Sequence, residues 1–175
     1  MKKLVVVIVV LFALNTAKAQ IRFSVGSEIG YSIDKSLGAQ FGFSLGGEYE
    51  LNETMAITGQ LGYSYIMIPD WEKSYAYNVP ILAGFKYSLD EKVENMYVMG
   101  QLGIHAFGWN VNVLGEDVGD NYIELGTGFG AGYLIGDHID LYLHYNAILG
   151  EDEDEDGNAS MGTFGYIAAR IAYKF

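Results

Sequence analysis

Beyond position 20, apolar and polar residues alternate with a period of two along almost the whole chain. From Ile21 the odd positions run Ile21, Phe23, Val25, Ser27, Ile29 and Tyr31, and the even ones Arg22, Ser24, Gly26, Glu28 and Gly30. That is the mark of a β-strand with unlike faces. The pattern returns seven times, with apolar faces beginning at Ala39, Met55, Tyr77, Met96, Ile123, Ile139 and Gly165. Eight strands of about 9 to 13 residues are predicted, longer than the ~5 to 6 usual in soluble sheets and close to the ~9 to 11 of a tilted strand crossing a bilayer. No run of 18 apolar residues occurs after the first strand begins, so no helical span is predicted.

The connections alternate in length. Turns at Asn52-Glu53-Thr54, Asp90 to Asn95 and Gly136-Asp137-His138 are short, whereas those at 66–75, 108–121 and 150–162 are longer and more polar. The connection at 32–37 is short but belongs to the long-loop side. Short turns on one rim and long loops on the other, with both ends of the chain on the short-turn rim, predict an all-β, eight-stranded antiparallel up-and-down transmembrane β-barrel. Aromatic residues at the strand ends support this over a lipocalin-like soluble barrel, whose outside is charged. Tyr31, Tyr63, Tyr65, Tyr77 and Phe107 are expected in an outer girdle, and Phe23, Tyr49, Tyr87, Tyr133, Tyr173 and Phe175 in a periplasmic one. Pro80, which cannot donate to a ladder, predicts a bulge at its position or near the outer rim.

The first nineteen residues stand apart. Lys2 and Lys3 precede an uninterrupted apolar run from Leu4 to Leu14, and Ala17-Lys18-Ala19 forms an A-x-A site. This predicts a secretory signal peptide over 1–19 and a single barrel domain over 20–175. Of 175 residues, 22 are acidic and 10 basic, a net charge of -12. Removal of Lys2, Lys3 and Lys18 leaves seven basic residues against the same 22 acids, or -15. Nucleic acid is thereby excluded as a partner, since phosphate binding needs clustered Lys and Arg. The chain has no cysteine, which removes disulfide and thiolate-metal chemistry, and its 23 glycines show no G-X-Y period.

With these strands in hand, the mature chain resembles small outer-membrane β-barrel proteins of the OmpA/OmpX type, within the porin-like outer-membrane β-barrel domain family. The local matches are Asn78-Val79-Pro80-Ile81 leading to Lys86-Tyr87, and the C-terminal strand Ile167, Ala169, Ile171, Tyr173 and Phe175. The resemblance implies export to the outer membrane of a Gram-negative bacterium, contact with membrane lipid and lipopolysaccharide, and a monomeric state. It also implies recognition of Ile171, Tyr173 and Phe175 by the barrel-assembly machinery.

The faces opposite the apolar ones are then expected to line the interior. They carry Glu28, Glu48, Lys86, His105, Glu124, His144 and Arg170, together with Arg22, Gln40, Glu50, Gln60, Asn78, Tyr97, Gln101, Asp140, Asn146, Tyr166 and Lys174. Eight strands leave room only for side chains, so these residues predict a closed network of ion pairs and hydrogen bonds, with Glu28 and Arg170 as the preferred pair. Gly126, Gly128, Gly130 and Gly132 face the same way and are expected to make room for bulky neighbours such as Tyr97 or Tyr166. The literal G-x-G-x-x-A pattern there lies inside a strand and is no dinucleotide site.

A closed barrel with a structural or surface-interaction role is therefore the expected function, with a narrow pore for small solutes as the alternative and an extracellular ligand left open. An acyl hydrolase or metal site would draw on His105, Glu124 and His144, but no serine on those strands faces them and no G-x-S-x-G occurs. No enzyme activity and no cofactor are expected. Asp152, Asp154, Asp156 and Gly157 match positions 1, 3, 5 and 6 of a calcium loop, but position 12 is Thr163 where a bidentate Glu is required. These three aspartates are at most weak cation ligands, and the six consecutive acids from 151 to 156 read more simply as a solvated tip.

Overall fold

The computed structural model describes residues 21–34, 36–69, 74–89, 95–113, 116–153 and 159–175. The expected signal peptide lies outside the described residues. Eight strands follow in order: β1 (Ile21–Ser32), β2 (Ala39–Glu50), β3 (Met55–Met67), β4 (Tyr75–Ser88), β5 (Met96–Val113), β6 (Glu116–Ile135), β7 (Ile139–Glu153) and β8 (Ala159–Lys174). Each pairs antiparallel with its neighbours in sequence, and β1 pairs with β8 to close the barrel. Following the paired positions from Ile21 through Tyr49, Ile57, Phe85, Gly100, Phe129, Tyr145 and Ile167 leads back to Tyr31, a stagger of ten residues. Because ten is even, the ladder closes with every outward residue still facing outward.

The faces divide as the alternation requires. Apolar side chains on the outer face are exposed, Leu102 at 65% and Phe129 at 64% among them, whereas Gln40, Asn78, His105, Asn146 and Lys174 on the opposite face are buried. This is a protein core turned inside out, stable only where hydrocarbon covers the outside. Phe107 departs from expectation. It belongs to the odd, inward row of β5 and meets Phe164 inside the barrel, ring centroids 5.6 Å apart. The outward position beside Tyr77 is occupied by Gly108, which leaves room for the Tyr77 ring.

The short turns have local causes. Asn52 Oδ1 accepts hydrogen bonds from the Thr54 and Met55 amides at 2.9 and 2.8 Å, the side chain standing in for a backbone turn. Asn95 and Gly136 adopt left-handed φ angles of 71° and 59° in the next two turns, a conformation open to Asn and Gly at little steric cost. Pro80 causes no bulge. The β3–β4 register is the same on both sides of it, and only the pairings of Gly62 and Tyr63 drop out of the ladder. The proline ring is accommodated because Gly62 has no side chain; a Cβ there would lie 3.0 Å from Pro80 Cγ.

The long connections are shorter than the sequence suggests. Strands β5 and β6 stay paired up to Val113 and Glu116, and β7 and β8 up to Glu153 and Ala159. Most of 108–121 and parts of 150–162 are thus ladder rather than loop. Beyond the bilayer both faces of a hairpin meet water, so hydrophobic alternation fades there while backbone pairing continues. The β6–β7 ladder, by contrast, ends at Leu125 and Leu149. Two hairpins therefore rise from the rim without pairing to each other.

The glycine row of β6 fits closely against the interior. A Cβ on Gly132 would collide with the Tyr97 ring, one on Gly126 with His105, and one on Gly128 with Asn146. The expected Tyr97 contact is present, while His105 and Asn146 occupy the space considered for Tyr166. Gly132→Val should destabilise the barrel by ~1–3 kcal/mol through overpacking. Gly59→Ala, on the outer face with nothing within 4 Å of its Cβ, should be nearly neutral. Urea unfolding of the refolded protein in detergent measures both, and equal effects would contradict the packing.

Candidate functional site in the barrel interior

The interior is layered. At the short-turn end Glu48 on β2 receives Lys86 Nζ from β4 at 3.0 Å and Lys174 Nζ from β8 at 2.8 Å. Lys174 also lies 3.7 Å from Asp140, which accepts from Tyr97 Oη at 2.6 Å and from Arg170 at 3.4 Å. Arg170 reaches across the lumen to Gln60 on β3 at 2.8 Å. At the rim itself Arg22 and Glu50 pair at 2.9 Å, both partly exposed.

Aromatic rings cross the middle. Tyr97 and Tyr142 stack with centroids 5.9 Å apart, Lys86 Nζ lies 4.3 Å from the Tyr97 centroid, and the Arg170 guanidinium 5.4 Å from that of Tyr142. Tyr142 also stacks on His144, 4.8 Å away and nearly parallel. Cations over ring faces and paired to carboxylates satisfy a charge in two ways at once. Tyr142 was not singled out from the sequence, although its place between Asp140 and His144 in one inward row marks it.

Towards the long-loop end His144 Nε2 lies 3.1 Å from Glu28 Oε2, and its other ring nitrogen 2.7 Å from the Asn146 amide. Gln40 donates to Glu28 at 3.2 Å, and His105 Nδ1 meets Asn78 Oδ1 at 3.1 Å. Above this layer Phe107, Ile148, Phe164 and Tyr166 close the interior with apolar surface.

Glu28, Glu48, Lys86, His105, His144 and Arg170 thus all lie inside. Glu28 and Arg170 are directly opposite in the β1–β8 register but turn to other partners, Glu28 to His144 and Gln40, Arg170 to Asp140 and Gln60. The preferred pair is therefore not formed. A side chain that points across a narrow lumen meets the far wall more readily than its neighbour on the ladder. Glu124 lies opposite His105 in the register and takes part in none of these bonds. Of the acidic run, Asp152 is paired with Ser160 in the β7–β8 ladder, while Asp154 and Asp156 lie outside the described residues. Among the described residues no cluster of three or more His, Cys, Asp or Glu side chains could hold a metal ion. Phe175 donates its amide to Phe23 across the β1–β8 seam at 2.9 Å, and its ring meets Tyr173 edge-on.

A polar, filled interior under an apolar outer surface is the arrangement of membrane-spanning barrels, and the family model for the outer membrane protein beta-barrel domain matches residues 4–175. The chain belongs to this family. Neisserial surface protein A is 15% identical, with a TM-score of 0.58 over 90% of this chain and 98% of that one. Ail, the attachment invasion locus protein of Yersinia pestis, is also 15% identical, with a TM-score of 0.61 over 89% and 97%. The outer membrane enzyme PagL reaches 0.50 at 15% identity over 87% and 98%. At such identities the likeness is one of fold. No curated protein matches the chain in sequence.

In this outer-membrane barrel the ion-pair layer has a central group, Glu48. Glu48→Gln should destabilise it by ~3–5 kcal/mol, because two buried ammonium groups lose their shared carboxylate. Adding Lys86→Met should restore part of that loss, since one stranded charge is removed with it. In the same unfolding measurements Glu28→Ala should couple more strongly to His144→Ala than to Arg170→Ala; the reverse order would reject the partners described above.

Proposed function

We propose that the chain is a closed, non-conducting outer-membrane barrel that acts through the hairpins at its outer end, in a structural or surface-interaction role. The observation that carries this reading is the filled lumen. The void among Glu48, Gln60, Lys86, Tyr97, Asp140 and Arg170 measures about 20 Å³, room for a single water. The apolar layer of Phe107, Ile148 and Phe164 stands above it. Water-filled channels need about 16 strands.

A non-enzymatic role is part of the same proposal, and the bonding of His144 supports it. Both ring nitrogens of His144 are engaged, by Glu28 and Asn146, and its side chain is 2% exposed, so it is not free to activate a hydroxyl nucleophile. The charge at the outer end narrows the choice of partner. Segments 33–38, 68–74, 114–124 and 151–158 hold thirteen acidic and two basic residues. Ail has been crystallised with the heparin analogue sucrose octasulfate, but a polyanion suits this acidic rim poorly.

Planar-bilayer recording of the refolded protein tests the closed state, with no current steps above the lipid baseline as the expected result. Stable unitary conductance would replace this reading with that of a small-solute pore. Export by the signal peptide over 1–19 and assembly through Ile171, Tyr173 and Phe175 belong to the same proposal. Deleting Phe175 should lower outer-membrane levels in cells while leaving refolding in detergent nearly unchanged. Unchanged outer-membrane levels would remove the assembly role, and a refolding defect of equal size would make Phe175 a stability residue instead.

A further inference from the structure

The lumen ends outward in an open cup. Phe107 on β5 and Phe164 on β8 meet across the barrel with ring centroids 5.6 Å apart, and Phe164 packs on Ile148 and Tyr166 below it. These rings form the floor. Above them the β7–β8 wall is bare, because Gly150 is paired with Gly162. Gly150 shares the inward row of β7 with Asn146 and Ile148, and a Cβ placed on it would meet nothing within 4 Å. The β5–β6 wall is furnished instead: in its inward rows Phe107 is paired with Tyr122 and Trp109 with Asp120. Tyr122 is 44% exposed and Trp109 half-buried, so both rings present surface to the cup.

One carboxylate stands in this cup. The ladder climbs ten residues in eight strands, so paired positions rise from β5 towards β8. Glu124, paired with His105 and one step beyond the Leu125–Leu149 pair, therefore lies at the level of the phenylalanine floor, beside the open position at Gly150. It is half-buried, and among the described residues it has no hydrogen-bonding or ion-pair partner. Every acid deeper in the lumen is matched, Glu48 by Lys86, Asp140 by Arg170 and Glu28 by His144. A carboxylate partly withdrawn from water without a counter-charge is an unmet electrostatic demand. The neighbouring hairpins do not meet it, since no basic residue occurs from 114 to 124 or from 149 to 161.

We infer that this cup binds a small arylalkylammonium ion from outside the cell, its nitrogen donating to the Glu124 carboxylate and its ring lying among Tyr122, Trp109 and the floor phenylalanines. Each part of the ligand answers a part of the site. An N–H cation supplies the missing counter-charge through a charge-assisted hydrogen bond. Aromatic faces attract the same cation and cover its apolar body. An anion of equal shape is repelled by Glu124 and by Asp120 above it, and a neutral alcohol loses the charge-assisted bond. The ligand enters from the outer end alone, because the lumen beneath the floor is filled. This inference rests on the closed-barrel reading and names a ligand for its outer end.

The test is isothermal titration of the full mature chain, refolded in zwitterionic detergent, with 2-phenylethylammonium. Saturable binding is expected, weakened about tenfold or more by Glu124→Gln, the loss of one hydrogen bond to a charged group. Gly150→Leu, which fills the open space and alters no charge, should weaken it by at least as much while the barrel keeps its heat-modifiable migration on gels. Unchanged binding by Gly150→Leu would put the amine elsewhere on the acidic rim and overturn the cup. Equal binding of 2-phenylethanol would leave an apolar surface without ion recognition and overturn the role of Glu124. No saturable binding up to millimolar concentration overturns the site altogether. Conductance recorded on the same preparation separates the two claims. A silent barrel that ignores the ammonium ion loses only the cup, whereas a conducting one loses the closed-barrel reading on which it rests.

Discussion

Hydrocarbon offers no hydrogen bonds, and every backbone N–H and C=O that enters it must be paired within the protein. For a chain of strands the solution is closure. The pairing of β1 with β8 removes the free edges within the membrane, and the ten-residue stagger lets it do so without turning any strand over. Everything else depends on that ring. The outward row can be apolar only because no backbone group faces lipid unpaired, and the inward row must be polar enough to have supplied half of each strand's alternation. With eight strands, that inward row has a lumen just wide enough for its own side chains.

Charge inside this lumen is balanced, which is what a water-poor interior demands. Glu28, Glu48 and Asp140 stand against Lys86, Arg170 and Lys174, with the two lumen histidines beside them. The large negative charge of the chain is therefore not a property of these lumen pairs. Sharing is the rule within the network. Glu48 serves two lysines, Asp140 serves Tyr97, Arg170 and Lys174, and the tyrosine rings cover the stems and heads of the cations. Such sharing explains why an interior with this many ionisable groups can be closed without an aqueous channel.

The period-two alternation made the strands and their faces legible, because one face of each strand must meet lipid. Partners within the lumen were not legible, and the reason is geometric. A register read from the sequence pairs neighbours, as Glu28 with Arg170, but side chains in a narrow barrel project across it. Glu48 on β2 meets β4 and β8, and Arg170 on β8 meets β3. Phe107 was placed by its aromatic character when its parity already put it inside. The hairpin extensions beyond Phe107 and Gly150 escaped notice because the hydrophobic signal stops where lipid stops, while hydrogen-bonded pairing needs no such signal. Pro80 follows the same logic in reverse: a local rule predicted a bulge, and a glycine on the facing strand made one unnecessary.

Outside the membrane the demand for closure lapses, and β6 is free to part from β7. An open edge is a hazard to any sheet protein, because the simplest partner for a strand edge is another copy of itself. Acidic residues on the edge oppose that outcome by charge, and Asp120 Oδ1 in addition accepts the Asn121 backbone amide at 2.7 Å, which satisfies one donor of the strand locally. Protection against self-association thus comes from the acids along β6, a strand that the barrel beneath holds extended by its full-length pairing with β5.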